Sequence, residues 1–382
     1  MNKYNNKALS IQEQIERLKK NGLIIDDENQ ANKTLSIISY FRLASYWRPM
    51  EEKDQGHQFK PNSHFNNALS LYYFDKELRA LIFSAIQSIE IALRTKVIHS
   101  FSIMYGPFWF MDDTLVKSLK QQLENIASLR KELDRSKEDF IQEHYRKYDF
   151  PDMPPSWKTL EVASFGVLSK LYSNFKDKNV KKDIAKSFGV PQHEYLESWM
   201  RSIAVLRNCC AHHARVWNRR FSMIPQLPKS MSNDWITNLN LDTHKIYAQL
   251  CCIIYWQNSI YENNDFINKF KQLLQKYPNI DVTAMGFPKD WEMEPLGKHK
   301  KKNIPRTTVH QRLFWGLFLF VLVRYFSLAM KRSVSTMKRT CVPFPMMPAP
   351  SLASTLNMSL RPSTAVRSAV AFISEPNADG FM

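Results

Sequence analysis

The amino-acid sequence predicts an all-α fold, and three observations lead to this prediction. Apolar residues recur at spacings of three and four over most of residues 1–296, whereas the alternation typical of β-strands is scarce. Hydrophobic residues make up 44% of the chain and aromatic residues 13%, a composition that excludes a disordered protein. Glycine supplies only nine of the 382 residues, and no GxGxxG or GxxxxGK(S/T) string occurs, which excludes Rossmann and P-loop folds.

The first predicted helices lie in the first 50 residues. In the segment ALSIQEQIERLKKNGLII, Ser10 is the expected N-cap, Glu13 completes a capping box, and Gly22 stands where the helix is expected to end. A second helix is predicted from about residue 32 to residue 47. Its apolar face is expected to hold Ile37, Tyr40, Ala44 and Trp47, with Phe41 alongside.

The remaining helices of the body follow in order. A long, strongly apolar helix is predicted from residue 66 to about residue 104, where Gly106 and Pro107 break the pattern. Residues 112–148 mix acidic and basic side chains at helical spacing, which is typical of a solvated helix. Three prolines predict a rigid loop over residues 149–157. Further helical patterns cover residues 158–175, 180–188, 192–220 and 243–275.

Residues 297–382 differ from the body in composition. They hold 13 basic and two acidic residues, a net charge of +11, which leaves +6 for residues 1–296. No helical period is visible in their Ser/Pro/Met-rich end, so we predict an unstructured basic tail. An apolar run at residues 313–330 is borderline in length for a membrane span, and Arg324 within it is costly in a bilayer. We therefore predict no membrane association, and a membrane anchor at residues 313–330 is the alternative.

Cysteine usage and the N-terminal sequence predict a cytoplasmic protein. Four of the five cysteines form two adjacent pairs, Cys209–Cys210 and Cys251–Cys252, which make a poor disulfide framework. The sequence MNKYNNKALSIQEQ contains no apolar run of signal-peptide length.

The string LRNCCAHHARVWNR at residues 206–219 concentrates polar side chains in a predicted helix. On a helix, Asn208 and His212 are four residues apart and share one side. Arg207 lies about 140° around the helix axis from His212, but its long side chain can reach the same cleft. Arg215, three residues beyond His212, is expected to add a second cation to that face.

These groups suit RNA cleavage in which a 2′-hydroxyl attacks the neighbouring phosphorus. A histidine, with an ordinary pKa of about 6.5, can remove the hydroxyl proton or protonate the leaving oxygen. Arginine can stabilise the charge of the phosphorane, and asparagine can orient the imidazole or the phosphate. We therefore predict Arg207, Asn208 and His212 as catalytic residues, with no metal and no cofactor required. The neighbouring His213, Arg215 and Arg219 are predicted to bind RNA.

A second R-x4-H string occurs at Arg94 and His99. Glu90 precedes Arg94 by four residues, so a helical ion pair that braces the fold is the simpler interpretation. A second catalytic motif is the alternative.

A zinc site is a further alternative at residues 209–213, where Cys209, Cys210, His212 and His213 stand close together. Structural zinc needs four ligands, commonly as separated pairs. The next cysteines, 251 and 252, are again adjacent, which favours helix packing over metal binding.

The string RNCCAHHARVWNR resembles the signature of the Abi-like family, the abortive-infection bacteriophage-resistance proteins of the AbiD/AbiF type. Other segments agree in the same order over about residues 8–296: SIQEQIERLKKNGLII with ISYFRLASYW, SIEIALRTKVIHSFSIMYGPFWF, PPSWKTLEVASFGVLSKLY and MGFPKDWEMEPL. This family is similar to the HEPN superfamily, whose helical bundles often cleave RNA with an R-x4-6-H motif.

The resemblance implies roles for particular residues. Arg207 and His212 match the catalytic pair, and Asn208 matches the polar residue that commonly follows the arginine. HEPN nucleases usually build the cleft from two motifs, so either Arg94 and His99 supply the second one or a homodimer pairs two copies of the first.

The resemblance also divides the chain. It implies an N-terminal helical segment at residues 1–60, an HEPN-like Abi domain at 61–296 and the basic tail at 297–382, where a shifted reading frame or a fused extension would explain the change in composition. The expected function is antiphage defence by a metal-independent endoribonuclease that acts as a toxin on RNA, as a homodimer or higher oligomer. Two alternatives stay open: a non-catalytic RNA-binding or toxin–antitoxin module, with a regulatory RNA as possible antitoxin, and a membrane-associated effector.

Overall fold

The computed structural model describes residues 7–53, 56–262 and 264–297. Over these ranges the chain forms twelve α-helices and no β-strand, which confirms the predicted all-α fold. The described residues all lie in one unit, Met1–Asn303, which includes both predicted segments of the body. Residues 298–382 lie outside the described ranges, as do the predictions for the basic tail and for the apolar run at 313–330.

The helices follow one another with short connections. They are α1 (Ile11–Lys20), α2 (Glu28–Ile37), α3 (Tyr40–Trp47), α4 (Phe65–Tyr105), α5 (Leu119–Arg135), α6 (Asp139–Lys147), α7 (Ser156–Val162), α8 (Phe165–Asn174), α9 (Lys178–Ser187), α10 (His193–Ala211), α11 (Ile246–Ile260) and α12 (Phe266–Lys276).

Helix α4 is the central element of the fold. Its 41 residues give it a length of about 62 Å, and α3, α7, α9, α10, α11 and α12 all pack against it. Its fully buried positions keep the three- and four-residue spacing seen in the sequence: Leu78, Ile82, Ile86, Ile89, Leu93, Val97 and Phe101. The helix ends at Gly106, whose φ of 84° lies in the left-handed region, as the sequence predicted. Helix α4 is therefore long enough to contact different helices at well-separated points along its axis.

The predicted ends of α1 are confirmed. The Ser10 hydroxyl accepts a hydrogen bond from the Glu13 amide at 3.3 Å, and the Ser10 amide donates to the Glu13 carboxylate at 2.6 Å. At the other end, Gly22 has a φ of 94° and the Leu23 amide donates to the Leu18 carbonyl at 3.0 Å. These bonds form a capping box and a glycine-terminated helix end.

The predicted continuous helix over residues 32–47 is wrong, because the chain breaks it into α2 and α3. Ile38 is extended, with φ of −114° and ψ of 111°, and the Ser39 hydroxyl caps α3 by accepting a hydrogen bond from the Arg42 amide at 3.4 Å. The break changes which side chains face the core. Ile37, expected on the apolar face, is 75% exposed, and Phe41 is 81% exposed.

Other predicted helices are also divided or shortened. Residues 112–148 hold α5 and α6, residues 158–175 hold most of α7 and all of α8, and residues 243–275 hold α11 and most of α12. The helix predicted over 192–220 ends at Ala211, which changes the geometry of the candidate site. Across the part of the chain that the structure describes, no helix combines the length and the hydropathy needed to cross a bilayer.

Candidate functional site

The R-x4-H string at residues 207–212 lies at the C-terminal end of α10. His213 has a left-handed backbone, with φ of 56°, and its amide donates to the Cys210 carbonyl at 3.2 Å. The Ala214 amide donates to the Cys209 carbonyl at 2.9 Å. This pair of bonds is the Schellman pattern, which usually has glycine where this chain has His213. The helix therefore stops one residue before His212, which is its C-cap.

Because the helix ends there, Arg215 does not extend the helical face of His212 as the sequence predicted. It turns back and donates to the Ser45 carbonyl of α3, and burial lowers the pKa of its guanidinium. The neighbouring Arg42 of α3 donates to the His213 carbonyl at 2.7 Å. Two arginines therefore hold α3 against the turn that follows α10.

A buried carboxylate fixes the same turn from the other side. Asp75 of α4 is fully buried and accepts hydrogen bonds from the Trp217 amide at 2.7 Å and from the Val216 amide at 3.1 Å. It also accepts a bond from the Tyr46 hydroxyl at 2.7 Å and pairs with Arg79. Asp75 thus joins α3, α4 and the turn after α10. Sequence reasoning missed it, since nothing in its local pattern marks it as an anchor.

The arginines of the two R-x4-H strings meet at one carboxylate. Glu90 of α4, whose side chain is 12% exposed, contacts Arg94 Nη2 through Oε1 at 2.9 Å and Arg207 Nε through Oε2 at 3.7 Å. Arg94 is buried and also donates to the Ala163 carbonyl at 2.8 Å, so it ties α4 to the end of α7. The Arg207 side chain is 33% exposed, and its guanidinium lies 5.6 Å from the centre of the Phe83 ring.

Helices α4 and α10 run in opposite directions. Asp75, near the start of α4, bonds to Trp217 beyond the end of α10, whereas Glu90, further along α4, contacts Arg207 within α10. Residues that follow Glu90 on α4 and residues that follow Arg207 on α10 therefore lie in opposite directions from this contact.

The two motif histidines lie far from each other for this reason. His99 follows Glu90 by nine residues on α4, and His212 follows Arg207 by five residues on α10. At 1.5 Å per residue, these opposite displacements separate the histidines by about 21 Å along the helix axes. Within one chain, the two motifs share a carboxylate between their arginines, but their histidines do not share a cleft.

Asn208 and His212 form the exposed part of the site. Both residues are exposed, and the His212 amide donates to the Asn208 carbonyl at 2.9 Å, which stacks them on one side of the last turn. Among the described residues, neither side chain makes a hydrogen bond or an ion pair. His213 is exposed beside them. An imidazole and an amide are therefore presented to solvent on the turn that follows the partly exposed Arg207 along α10.

More cations stand near the turn. Arg219 lies 5.7 Å from the Phe221 ring, and Lys245, at the start of α11, donates to the Asn218 side chain at 2.6 Å. Burial lowers the pKa of Lys245, and the nearby Arg215 contributes to the same shift. Lys245 is a second residue that the sequence did not single out, because only the packing of α11 brings it to the turn. Arg219 and Lys245 therefore place positive charge near this end of α10, and such charge attracts phosphate.

The cysteines and the histidines at residues 209–213 lie in different environments. Cys209 and Cys210 are buried, whereas His212 and His213 are exposed. Burial raises the pKa of the Cys210 thiol to about 12, which disfavours the thiolate that binds metals. Over the described ranges, no three His, Cys, Asp or Glu side chains are grouped closely enough to hold a metal ion.

A model of the protein family described as "Abi-like protein" matches residues 33–218. The matched span runs from α2 to the turn after α10 and includes both R-x4-H strings, Glu90 and Asp75. No curated protein and no solved structure matches the chain.

Proposed function

Because residues 33–218 belong to the Abi-like protein family, which indicates abortive-infection resistance to bacteriophage, we propose that this chain exerts that resistance as an endoribonuclease. The observation that carries the proposal is the pair of exposed side chains at the end of α10, Asn208 and His212, on the same part of the helix as the partly exposed Arg207. The proposed activity also assumes that the resemblance to the HEPN superfamily is real.

In the proposed reaction, His212 removes the proton from a ribose 2′-hydroxyl. The freed oxygen attacks the adjacent phosphorus, and the bond to the 5′-oxygen of the next nucleotide breaks. The products are a 2′,3′-cyclic phosphate and a 5′-hydroxyl end once the leaving oxygen has taken a proton. Arg207 donates to the non-bridging oxygens of the phosphorane, and Asn208 orients the phosphate.

The Glu90 contact suits Arg207 to this role. Glu90 Oε2 lies 3.7 Å from Nε, beyond hydrogen-bond distance, so it attracts the Nε side of the guanidinium by charge while the two terminal amino groups can face a phosphate. A planar fork held in this way can make two parallel bonds to phosphate oxygens.

The proton for the leaving oxygen needs a second group. His99 stands too far along α4 to supply it within the same chain. We therefore propose that two chains pair their α10 ends, so that one His212 acts as base and the partner's His212 acts as acid. RNA is the proposed substrate, and His213 and Arg219 are proposed to contribute to its binding. Arg215, which was predicted to bind RNA, instead donates to the Ser45 carbonyl and is left out of this proposal.

The direct test is to incubate the purified full chain with total RNA in the presence of EDTA and to map the ends of the products. Fragments with 2′,3′-cyclic phosphate and 5′-hydroxyl ends support the proposal. Intact RNA that nevertheless binds the protein would favour a non-catalytic RNA-binding module instead.

The Glu90→Gln variant is expected to reduce the single-turnover rate of cleavage by about 10- to 100-fold, because Arg207 loses the negative charge that attracts its guanidinium and then meets the transition state less often in the right position. Glutamine keeps the size of the side chain and can still accept a hydrogen bond from Arg94, so the protein should fold. The measurement is single-turnover RNA cleavage together with circular dichroism. An exposed carboxylate elsewhere, Glu143 of α6, provides the control as Glu143→Gln. Unchanged cleavage by folded Glu90→Gln would show that Glu90 has no part in positioning Arg207.

The His99→Ala variant is expected to keep its cleavage activity, since His99 is well separated from His212 in one chain. The specific activity of the wild-type protein should instead fall on dilution, as a homodimeric cleft dissociates. Both effects can be followed by cleavage assays over a range of protein concentrations, with the oligomeric state measured by sedimentation. Loss of activity in His99→Ala, or activity that is independent of concentration in a monomer, contradicts the paired-His212 arrangement.

A further inference from the structure

A groove of about 780 Å³ lies between α1, α3 and the residues Glu51 and His57, on the side of α3 away from the turn at His213. Its walls carry aromatic rings from α3 and basic side chains from three parts of the chain. The R-x4-H site makes no use of this groove, although α3 forms part of both.

The solvent exposure of the aromatic side chains that line the groove increases from its base to its rim. Trp47 is buried at the base, and the Tyr40 ring meets it edge-on, with 5.0 Å between the ring centres. Phe41 continues the series, 6.2 Å from Tyr40, and is 81% exposed. The planes of the Tyr40 and Phe41 rings are inclined at 76°, so it is the exposed face of Phe41 on which a planar base can stack.

The charges of the groove favour an anion. Lys7, Arg17 and Arg48 line it, and neither arginine has an ion-pair partner among the described residues. Glu51 is the one acidic side chain among the described lining residues, and it contacts His57 Nδ1 at 2.9 Å.

The position of Phe41 links the groove to the site at His212. Successive residues on a helix are about 100° apart, so Phe41 lies between the groove-facing Tyr40 and the site-facing Arg42. Arg42 donates to the His213 carbonyl. The groove and the turn are therefore about one helix diameter apart, ~10 Å, with Phe41 on the ridge between them.

We propose that this groove binds unpaired nucleobases of the RNA strand on which His212 acts. One base stacks on the exposed face of Phe41, beside the Tyr40 ring, while Arg17 and Arg48 contact the flanking phosphates. The proposal rests on the proposed function, because it extends the same strand from the cleft over α3. Stacking on an aromatic ring needs a base without a pairing partner, so the expected ligand is single-stranded RNA and not a duplex.

The test measures binding in the full-length His212→Ala protein, which should not turn over RNA. The probe is a short fluorescent adenosine-only RNA, and the comparison ligand is an abasic ribose-phosphate strand of the same length. Phe41→Ala is expected to weaken RNA binding about 10-fold and to leave abasic-strand binding unchanged, whereas Phe41→Trp should restore the RNA affinity. Phe150→Ala is the matched control, because Phe150 is 88% exposed and far from the groove in sequence. Arg48→Gln should reduce the slope of log affinity against log salt by about 0.7, the value for one phosphate contact.

The outcomes separate this inference from the nuclease proposal. A wild-type protein that binds RNA without cleaving it contradicts the nuclease, while the effect of Phe41→Ala on binding still decides the groove. The groove inference is overturned if Phe41→Ala binds RNA as the parent does, if it weakens the abasic strand equally, or if no RNA binds at all. Because Phe41 is exposed, its replacement should leave folding intact, and circular dichroism checks this.

Discussion

Replacement of His212 by alanine is expected to lower the rate of RNA cleavage by about 10²–10⁴-fold, because it removes the group that transfers the proton. Arg207→Ala should lower the rate by about 10²–10³-fold, by analogy with other groups that stabilise developing charge. Arg207→Lys should rescue poorly, since a point charge cannot replace a planar fork. The measurement is single-turnover cleavage with mapped product ends, together with growth arrest or phage protection in cells.

The two alanine variants should differ in binding. RNA affinity should fall more in Arg207→Ala than in His212→Ala, because only the former loses a permanent phosphate contact. A matched control is Arg146→Ala, because Arg146 is an exposed arginine of α6 that the proposal gives no part in RNA binding or catalysis. This control should keep kcat close to that of the wild type. If folded His212→Ala arrests growth or blocks phage as well as the wild type, the nuclease proposal is wrong and a binding-only module is favoured.

Replacement of Asp75 by alanine is expected to reduce the free energy of unfolding by about 3–5 kcal/mol, the usual cost of breaking a buried ion pair from one side. Arg79, which is only 5% exposed, would lose its counter-ion. The Val216 and Trp217 amides would lose their acceptor as well. The measurement is urea unfolding of the full chain. Cleavage activity should fall too, because the turn after His212 loses its anchor.

Two further variants show whether the effect comes from the buried pair. Asp75→Asn should cost less than Asp75→Ala, since the amide oxygen can still accept one of the backbone bonds. Lys269→Ala removes one partner of an exposed pair on α12 and should cost at most about 0.5 kcal/mol. An unfolding midpoint of Asp75→Ala equal to that of Lys269→Ala would contradict the proposed anchoring role.

Features set by neighbouring residues could be predicted from the sequence. Ser10 and Glu13 cap α1 as expected, because a capping box involves residues only three apart. The length of α4 followed from its regular apolar spacing and from Gly106 at its end. The spacing of Asn208 and His212 likewise predicted that they share one side of a helical turn, and the structure places them there.

The break between α2 and α3 could have been found but was missed. Apolar spacing continues through residues 32–47, so periodicity alone predicted one helix. Ser39 is a good N-cap residue, and its hydroxyl does cap α3. The extended backbone of Ile38 turns the second half of the segment, which leaves Phe41 on the surface.

The sequence by itself determined the helical class, the apolar face of α4 and the identity of the polar residues at the end of α10, because each depends on local spacing. Only the tertiary structure decided where α10 ends and which side chains support its last turn. Asp75 binds the Trp217 amide across 142 positions of the chain, and Glu90 brings together two arginines from different helices. Such contacts depend on the packing of α3, α4 and α10, and helical periodicity carries no information about a hydrogen-bond partner so distant in sequence.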